Sequence, residues 1–188
     1  MGIILASASP RRQELLKLIT NDFKICVADI DEESLQEKEP TLFCKTLATQ
    51  KGEFIKKQYP NDIIIACDTV VDLDNHIFGK PKNEDEAFEI ITNLSGKTHF
   101  VHTGVYIGSK TASTSFVRTS TVTFSKIPKE EILKYIKTTE PYDKAGGYGI
   151  QGWASKYISN ITGCYFNILG FPIYDINLTL NNLEVTLL

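Results

Sequence analysis

The 188-residue chain has one methionine, one tryptophan, three histidines and four cysteines. Cys26, Cys44, Cys67 and Cys164 form no C-x-x-C pair, so neither a zinc site nor a disulfide framework is expected. Cys26 and Cys67 stand in apolar, strand-like runs, where cysteine acts as a small hydrophobe. That usage predicts a reducing, cytoplasmic setting. His99 and His102 are three apart on a predicted strand, so they point to opposite faces and make no zinc pair. An excess of positive charge is also missing. Lys and Arg total 20 against 23 Asp and Glu, for a net charge of −3 and a pI near 5.7. Binding to a nucleic-acid polymer or an anionic membrane is therefore not expected, although a local basic pocket for one small polyanion is compatible. The opening MGIILASASPRR lacks a leading charge cluster and a long apolar run, and predicts neither a signal peptide nor a membrane span. There is no internal repeat and no Pro/Gly-rich linker.

What remains is ordinary globular material, 42% hydrophobic and 23% charged. It suits one compact unit over residues 1–188, or two closely packed lobes sharing a cleft. Gly2 to Ala6 reads as a short buried strand. Ser9 then caps a helix with Pro10 in its first turn and Leu15, Leu16, Leu18 and Ile19 on its apolar face. Further strands are expected at Phe23 to Val27 and at Ile63 to Cys67, the latter ending at Asp68. A helix from Pro40 to about Gln58 has Leu42, Leu47 and Phe54 facing a core. Val70 to Phe78 reads as a hairpin turning at Asp74-Asn75. A helix from about Glu84 to Leu94 precedes two long strands, near Thr98 to Ile107 and Thr114 to Phe124. A short helix from Lys129 to Thr138, a strand from Tyr157 to Ile161 and a helical tail from Pro172 complete the α/β pattern.

Five groups of residues suggest chemistry. Ser7-Ala8-Ser9-Pro10-Arg11-Arg12 is a strand-to-helix turn with two hydroxyls and two arginines. Helix N–H groups and planar guanidinium forks both suit phosphate; the plain alternative is a capped helix with solvated arginines. Asp68-Thr69 follows a strand, where a carboxylate can face a cleft and hold Mg²⁺ or orient water; the alternative is a turn cap. The acidic group Asp29, Asp31, Glu32 and Glu33 is either a solvated loop or the source of a second metal carboxylate. Lys51 lies in the helix after Pro40, and Lys80 lies in Gly79-Lys80-Pro81, where the flanking residues restrict the backbone. Finally, the Gly-rich stretch from Asp143 to Gly152 permits close backbone approach to a ligand. It matches neither a Walker loop nor a dinucleotide fingerprint, and Gln151 within it carries an amide suited to a base edge. Asp72-Leu73-Asp74 superficially resembles a phospho-aspartate phosphatase motif, but His76 stands where Thr or Val is needed, and Asp74 is better read as a hairpin tip.

Taken in order, LASASPRRQELL, ACDTVV, GKP, LSGKTH with HTGV, EPYDKAGGYGIQG and ITGCYFNILGFP resemble the Maf family of nucleotide pyrophosphatases, from about Ile3 to Pro172. The resemblance implies an elongated, inosine-triphosphatase-like α/β fold with a mixed, strongly curved sheet and a deep cleft between two lobes. It also implies a homodimer in many members and hydrolysis of a nucleoside triphosphate to monophosphate and pyrophosphate with Mg²⁺ or Mn²⁺. By position, Asp68 matches the catalytic carboxylate, and Glu32 an acidic position near the metal. Ser7, Arg11, Arg12, Lys51 and Lys80 match phosphate-handling positions. Arg11 after Pro10, Thr69 after Asp68 and Gln151 in YGIQG fall on the dTTP/UTP side; the subgroup acting on 7-methyl-GTP carries Trp after that proline. A pocket that admits the thymine methyl suits modified pyrimidines as well. Cys67, Gly147 and Phe171 depart from the usual residues without removing a charge. Two rivals are a nucleotide-binding regulator, which would use the same cations without turnover, and an inosine triphosphatase, whose S-x-N-x-x-K opening is missing here.

Overall fold

A computed structural model describes residues 2–32 and 35–183. The candidate Glu33 and the tail beyond residue 183 lie outside the described residues. One mixed sheet organises the chain, in the order β2-β1-β3-β5-β6-β7 with β4 added to β3. Its strands are β1 (Ile3–Leu5), β2 (Lys24–Ile25), β3 (Ile63–Leu73), β4 (His76–Phe78), β5 (Thr98–Gly108), β6 (Ser113–Phe124) and β7 (Ile158–Thr162). The first three pair in parallel, and the rest pair antiparallel. The helices are α1 (Pro10–Leu16), α2 (Pro40–Gln58), α3 (Glu84–Leu94), α4 (Lys129–Tyr135), α5 (Tyr165–Ile168) and α6 (Ile173–Asn182). The mixed α/β architecture expected from the sequence is present. Among the described residues, no helix is long and apolar enough to cross a membrane.

Local chemistry explains the helix bounds. Pro40 fills the first position of α2, and the Glu39 carboxylate accepts the N–H groups of Thr41 and Leu42. Asn83 caps α3 by accepting from Glu86 N–H, with three acidic residues in the first turn, where they favour the positive end of the helix dipole. Both helices have the predicted bounds. Four expectations fail. The strand expected over Phe23 to Val27 shortens to the exposed pair Lys24–Ile25. The helix opened by Ser9 ends at Leu16, so Leu18 falls outside it and is 68% exposed. Leu42, in the first turn of α2, is 46% exposed, because the buried stripe is carried by Cys44, Leu47, Ala48, Gly52 and Ile55. The helix from Lys129 stops at Tyr135 rather than Thr138.

The larger correction concerns β3. Its first half does not stop at Cys67; the strand continues to Leu73, and Asp68 sits in its interior. Continuous pairing of Ile64 to Asp72 with β5 carries the backbone through, and the β-branched Thr69, Val70 and Val71 suit it. The other edge of β3 is different. It pairs with β1 only over Ile63 to Ile65 and with β4 only over Val71 to Leu73. Between these two partners, residues 66–70 form an open edge with Asp68 at its centre.

Side chains alternate across β3. Ile63, Ile65 and Cys67 pack with α1 and α6 through Leu15, Leu16 and Ile176, whereas Ile64 and Ala66 pack against Ala48 and Ile55 of α2. Asp68 therefore faces α2, and Thr69 faces the opposite way. Helix α2 lies very close to the sheet. A Cβ on Gly104, the β5 partner of Asp68, would meet the Cys44 carbonyl oxygen at 2.2 Å. Only glycine lets the helix approach this near, and the approach brings Lys51 to Asp68.

A candidate active site at the open edge of β3

A cleft of about 950 Å³ opens along the uncovered edge of β3 and reaches both faces of the sheet. Arg11, Arg12, Glu32, Lys51, Asp68, Thr69, Lys80 and Gln151 line it, and Ser7 lines a smaller adjoining recess shared with Arg11, Arg12, Glu32, Lys51 and Lys80. Of the described acidic candidates, Glu32 reaches the cleft, whereas Asp29 and Asp31 are not among its lining residues.

On the α2 face, the Lys51 ammonium lies 2.6 Å from Asp68 Oδ1 and 3.0 Å from Glu32 Oε1. Lys51 and Asp68 are largely buried, and Glu32 is about half exposed. One cation thus draws together the two carboxylates expected to serve a metal. No group of three or more His, Cys, Asp or Glu suited to a metal occurs among the described residues. A pair of carboxylates at a cleft wall suits a hard cation that keeps waters and takes substrate oxygens, as Mg²⁺ does, rather than a closed protein cage.

Strand β1 leads into the Ser7–Arg12 turn. Ser9 caps α1 as predicted, its hydroxyl accepting Arg12 N–H at 3.5 Å. The two arginines then diverge. Arg11 is the more accessible, and its guanidinium meets the Asp143 carboxylate at 3.3 Å. Arg12 turns inward. Its Nε donates to Gly170 O at 3.0 Å, Nη1 to Cys67 O at 2.8 Å and to Ser7 Oγ at 3.3 Å, and Nη2 to Thr69 Oγ1 at 3.0 Å. Cys67 O belongs to the open stretch of β3, so Arg12 satisfies a carbonyl that no edge strand covers. Four of its five N–H groups are engaged with protein acceptors, which makes it a strut as well as a cation.

The Gly-rich segment docks against the far wall. Gly146 N–H donates to Gly79 O at 3.0 Å, tying the segment to the hairpin exit that carries Lys80. Gly146 takes φ +70, and a Cβ there would stand 2.6 Å from Val71. Tyr135 hydroxyl donates to Gly147 O at 3.0 Å, and Tyr148 hydroxyl meets His99 Nε2 at 2.7 Å. Burial holds His99 down to about 4, so it is neutral at physiological pH. These anchors leave Gln151 exposed at the cleft.

Asp143 opens the Gly-rich candidate stretch, but no role of its own follows from the sequence; the structure sets it against Arg11. Burial opposes its ionisation, but the hydrogen bond from Lys144 and the charges of Lys144 and Arg11 outweigh that and hold its carboxyl below the usual value. Thr103 and Asn167 were also missed; both are fully buried and connect Thr69 to the turn after α5. His99 and His102 lie in separate surroundings as expected, the latter against Thr119 at 2.9 Å and Asp72 at 3.6 Å. Asp74 and Asn75 take positive φ, as the predicted hairpin tip requires. Burial pushes the Cys44 and Cys67 thiols up to about 12, so neither is a nucleophile.

The family described as Maf-like protein matches residues 2–183. A protein of Clostridium botulinum (strain Kyoto / Type A2) named dTTP/UTP pyrophosphatase is 45% identical, covering 99% of each chain. One of the same name from Thermosipho africanus is 47% identical over 92% of this chain and 88% of its own. Among solved structures, the HAM1 protein of Coxiella burnetii superposes with a TM-score of 0.58 and the Ham1 protein of Staphylococcus aureus with 0.55. Each is 13% identical and covers 96% of this chain and 98% of its own; at that identity the likeness is one of fold.

Proposed function

The chain belongs to the Maf-like family, and on that premise we propose that it hydrolyses dTTP and UTP to the monophosphate and pyrophosphate at the open edge of β3. The observation that carries this reading is the Asp68–Lys51–Glu32 cluster, set in a cleft beside the arginine turn. Relatives covering almost the whole chain at 44–47% identity carry the name dTTP/UTP pyrophosphatase.

The triphosphate lies along Arg11 and Lys80, with Ser7 and the remaining N–H of Arg12 at the adjoining recess. Arg11 exchanges the Asp143 carboxylate for a phosphate oxygen, a replacement of one anion by another at the same guanidinium. Asp68 orients the attacking water and takes its proton, and Lys51 fixes the position of that carboxylate. Asp68 and Glu32 would hold Mg²⁺ or Mn²⁺, which neutralises charge on the phosphate oxygens. Arg11, Lys51 and Lys80 stabilise the negative charge that grows on the leaving pyrophosphate, and this fixed electrostatic field is the main source of acceleration. Gln151 and Thr69 meet the base. Because Asp68 and Thr69 point to opposite faces of β3, the open edge is what lets one nucleotide touch both.

The test is pyrophosphate release from a panel of nucleoside triphosphates, with and without Mg²⁺ or Mn²⁺. Metal-dependent cleavage of dTTP and UTP is expected. Gln151→Ala should change relative rates among nucleotides more than it changes affinity for inorganic triphosphate. Binding without turnover on every nucleotide would replace this reading with that of a nucleotide-binding regulator.

A further inference from the structure

Thr69 lines the cleft, and the hydrogen of its hydroxyl is already committed to a neighbour. A guanidinium only donates, so the 3.0 Å contact from Arg12 Nη2 occupies one lone pair of Thr69 Oγ1. At the far end, the Asn167 carbonyl only accepts, and Thr103 Oγ1 lies 3.0 Å from it. The single hydroxyl hydrogen of Thr103 therefore points to Asn167 O. The Thr69 and Thr103 oxygens are themselves 3.0 Å apart. The hydrogen between them must come from Thr69, because the opposite arrangement would leave two buried acceptors facing each other at Asn167 with no hydrogen between them.

The receiving end is rigid. Asn167 is fully buried, its side-chain amide donates to Val101 O and Ser120 Oγ at 3.0 Å each, and its carbonyl also takes Gly170 N–H at 2.8 Å. Hydrogen bonds therefore run one way, from Arg12 to Thr69 to Thr103 to Asn167. Thr69, which lines the cleft, is left with one lone pair and no hydrogen to offer.

We propose that Thr103, a buried residue outside the cleft, is a positioning residue that makes Thr69 an acceptor only, and that Thr69 meets the base at ring position 3, so that uracil and thymine are selected over cytosine. The inference rests on the pyrimidine-nucleotide reading above and adds the chemical reason for its selectivity. Uracil and thymine carry N–H at ring position 3, which an acceptor attracts. Cytosine carries a bare nitrogen there, and Thr69 meets it lone pair against lone pair. With a free hydroxyl hydrogen, Thr69 would serve either base and discriminate little.

The experiment compares kcat/KM for UTP and CTP in the wild type, Thr103→Val and Thr103→Ser. Valine keeps the shape but removes the acceptor for the Thr69 hydrogen, freeing it to turn into the cleft. The CTP-to-UTP ratio should rise about tenfold, roughly the worth of one hydrogen bond. Serine keeps the acceptor and should preserve the wild-type ratio. An unmoved ratio in Thr103→Val with UTP turnover retained, or an equal shift in Thr103→Ser, would overturn the inference alone. A wild type that cleaves neither nucleotide would overturn the proposed function and this inference with it. The folded wild type supplies a second measurement independent of the valine variant. The N3–H of 5-fluoro-UTP is more acidic than that of UTP, so its kcat/KM should fall at a lower pH; coincident alkaline limbs would contradict an acceptor at that position.

Discussion

Asp68 and Asp72 stand four residues apart on the same face of one strand, and both are largely buried. Their surroundings differ completely. At Asp68 the β1 partner has ended and β4 has not begun, so the carboxylate meets Lys51 and the cleft. At Asp72 the edge is closed: Ile77 of β4 pairs on one side, Phe100 of β5 on the other, and the carboxylate faces His102. The residue type, strand and face are shared. What separates a carboxylate that faces the cleft from one enclosed in the sheet is where the neighbouring strands stop. The same gap explains Arg12, whose side chain takes over the carbonyl that an edge strand would have paired.

The comparison can be broken at the open end by Lys51→Met, which removes the cation shared by Asp68 and Glu32. Turnover should fall by about 10²–10³-fold, as when one preorganised electrostatic group is lost, and steady-state pyrophosphate release measures it. At the closed end, the comparison is sharpened by acid. His99 has its folded value depressed to about 4 against 6.5 unfolded, so the unfolded chain binds the extra proton. Stability present at neutral pH is therefore lost as pH falls from about 6.5 to about 4, by on the order of 2–3 kcal/mol. Urea unfolding at pH 7 and pH 5 should show this slope, and His99→Gln should flatten it. A smaller effect is expected from Gly104→Ala, behind the open edge. The added methyl meets the Cys44 carbonyl and must push α2 outward, costing about 1–3 kcal/mol and loosening Lys51 from Asp68. Melting temperature and kcat should fall together.

Much of this was legible in the chain, for local reasons. Pro40 with Glu39 and Asn83 with its acidic first turn mark two helices at their true bounds, because caps and first-turn chemistry are written in adjacent residues. The Asp74-Asn75 turn is equally local. Asp68, Lys51 and Lys80 were recognisable as candidates from short strings, and the fold brings them to one cleft. The open edge was not legible, because it depends on partners that start and stop elsewhere: β1 some 60 residues earlier and β4 after the turn. The Thr69–Thr103–Asn167 connection spans 34 and then 64 residues and joins groups of no unusual type. The close approach of α2 rests on Gly104 and Gly52, whose meaning appears only when the helix and β5 are seen in contact.

The most direct test sets Asp68→Asn beside Asp72→Asn and measures kcat/KM for pyrophosphate release from UTP, with melting temperatures as a control on folding. Loss of a positioned base predicts a fall of about 10²–10⁴-fold for Asp68→Asn with folding intact, while Asp72→Asn, which changes a group outside the cleft, should stay within about tenfold of wild type. A fully active Asp68→Asn enzyme, or equal losses in two folded variants, would contradict the assignment of the chemistry to the open edge of β3.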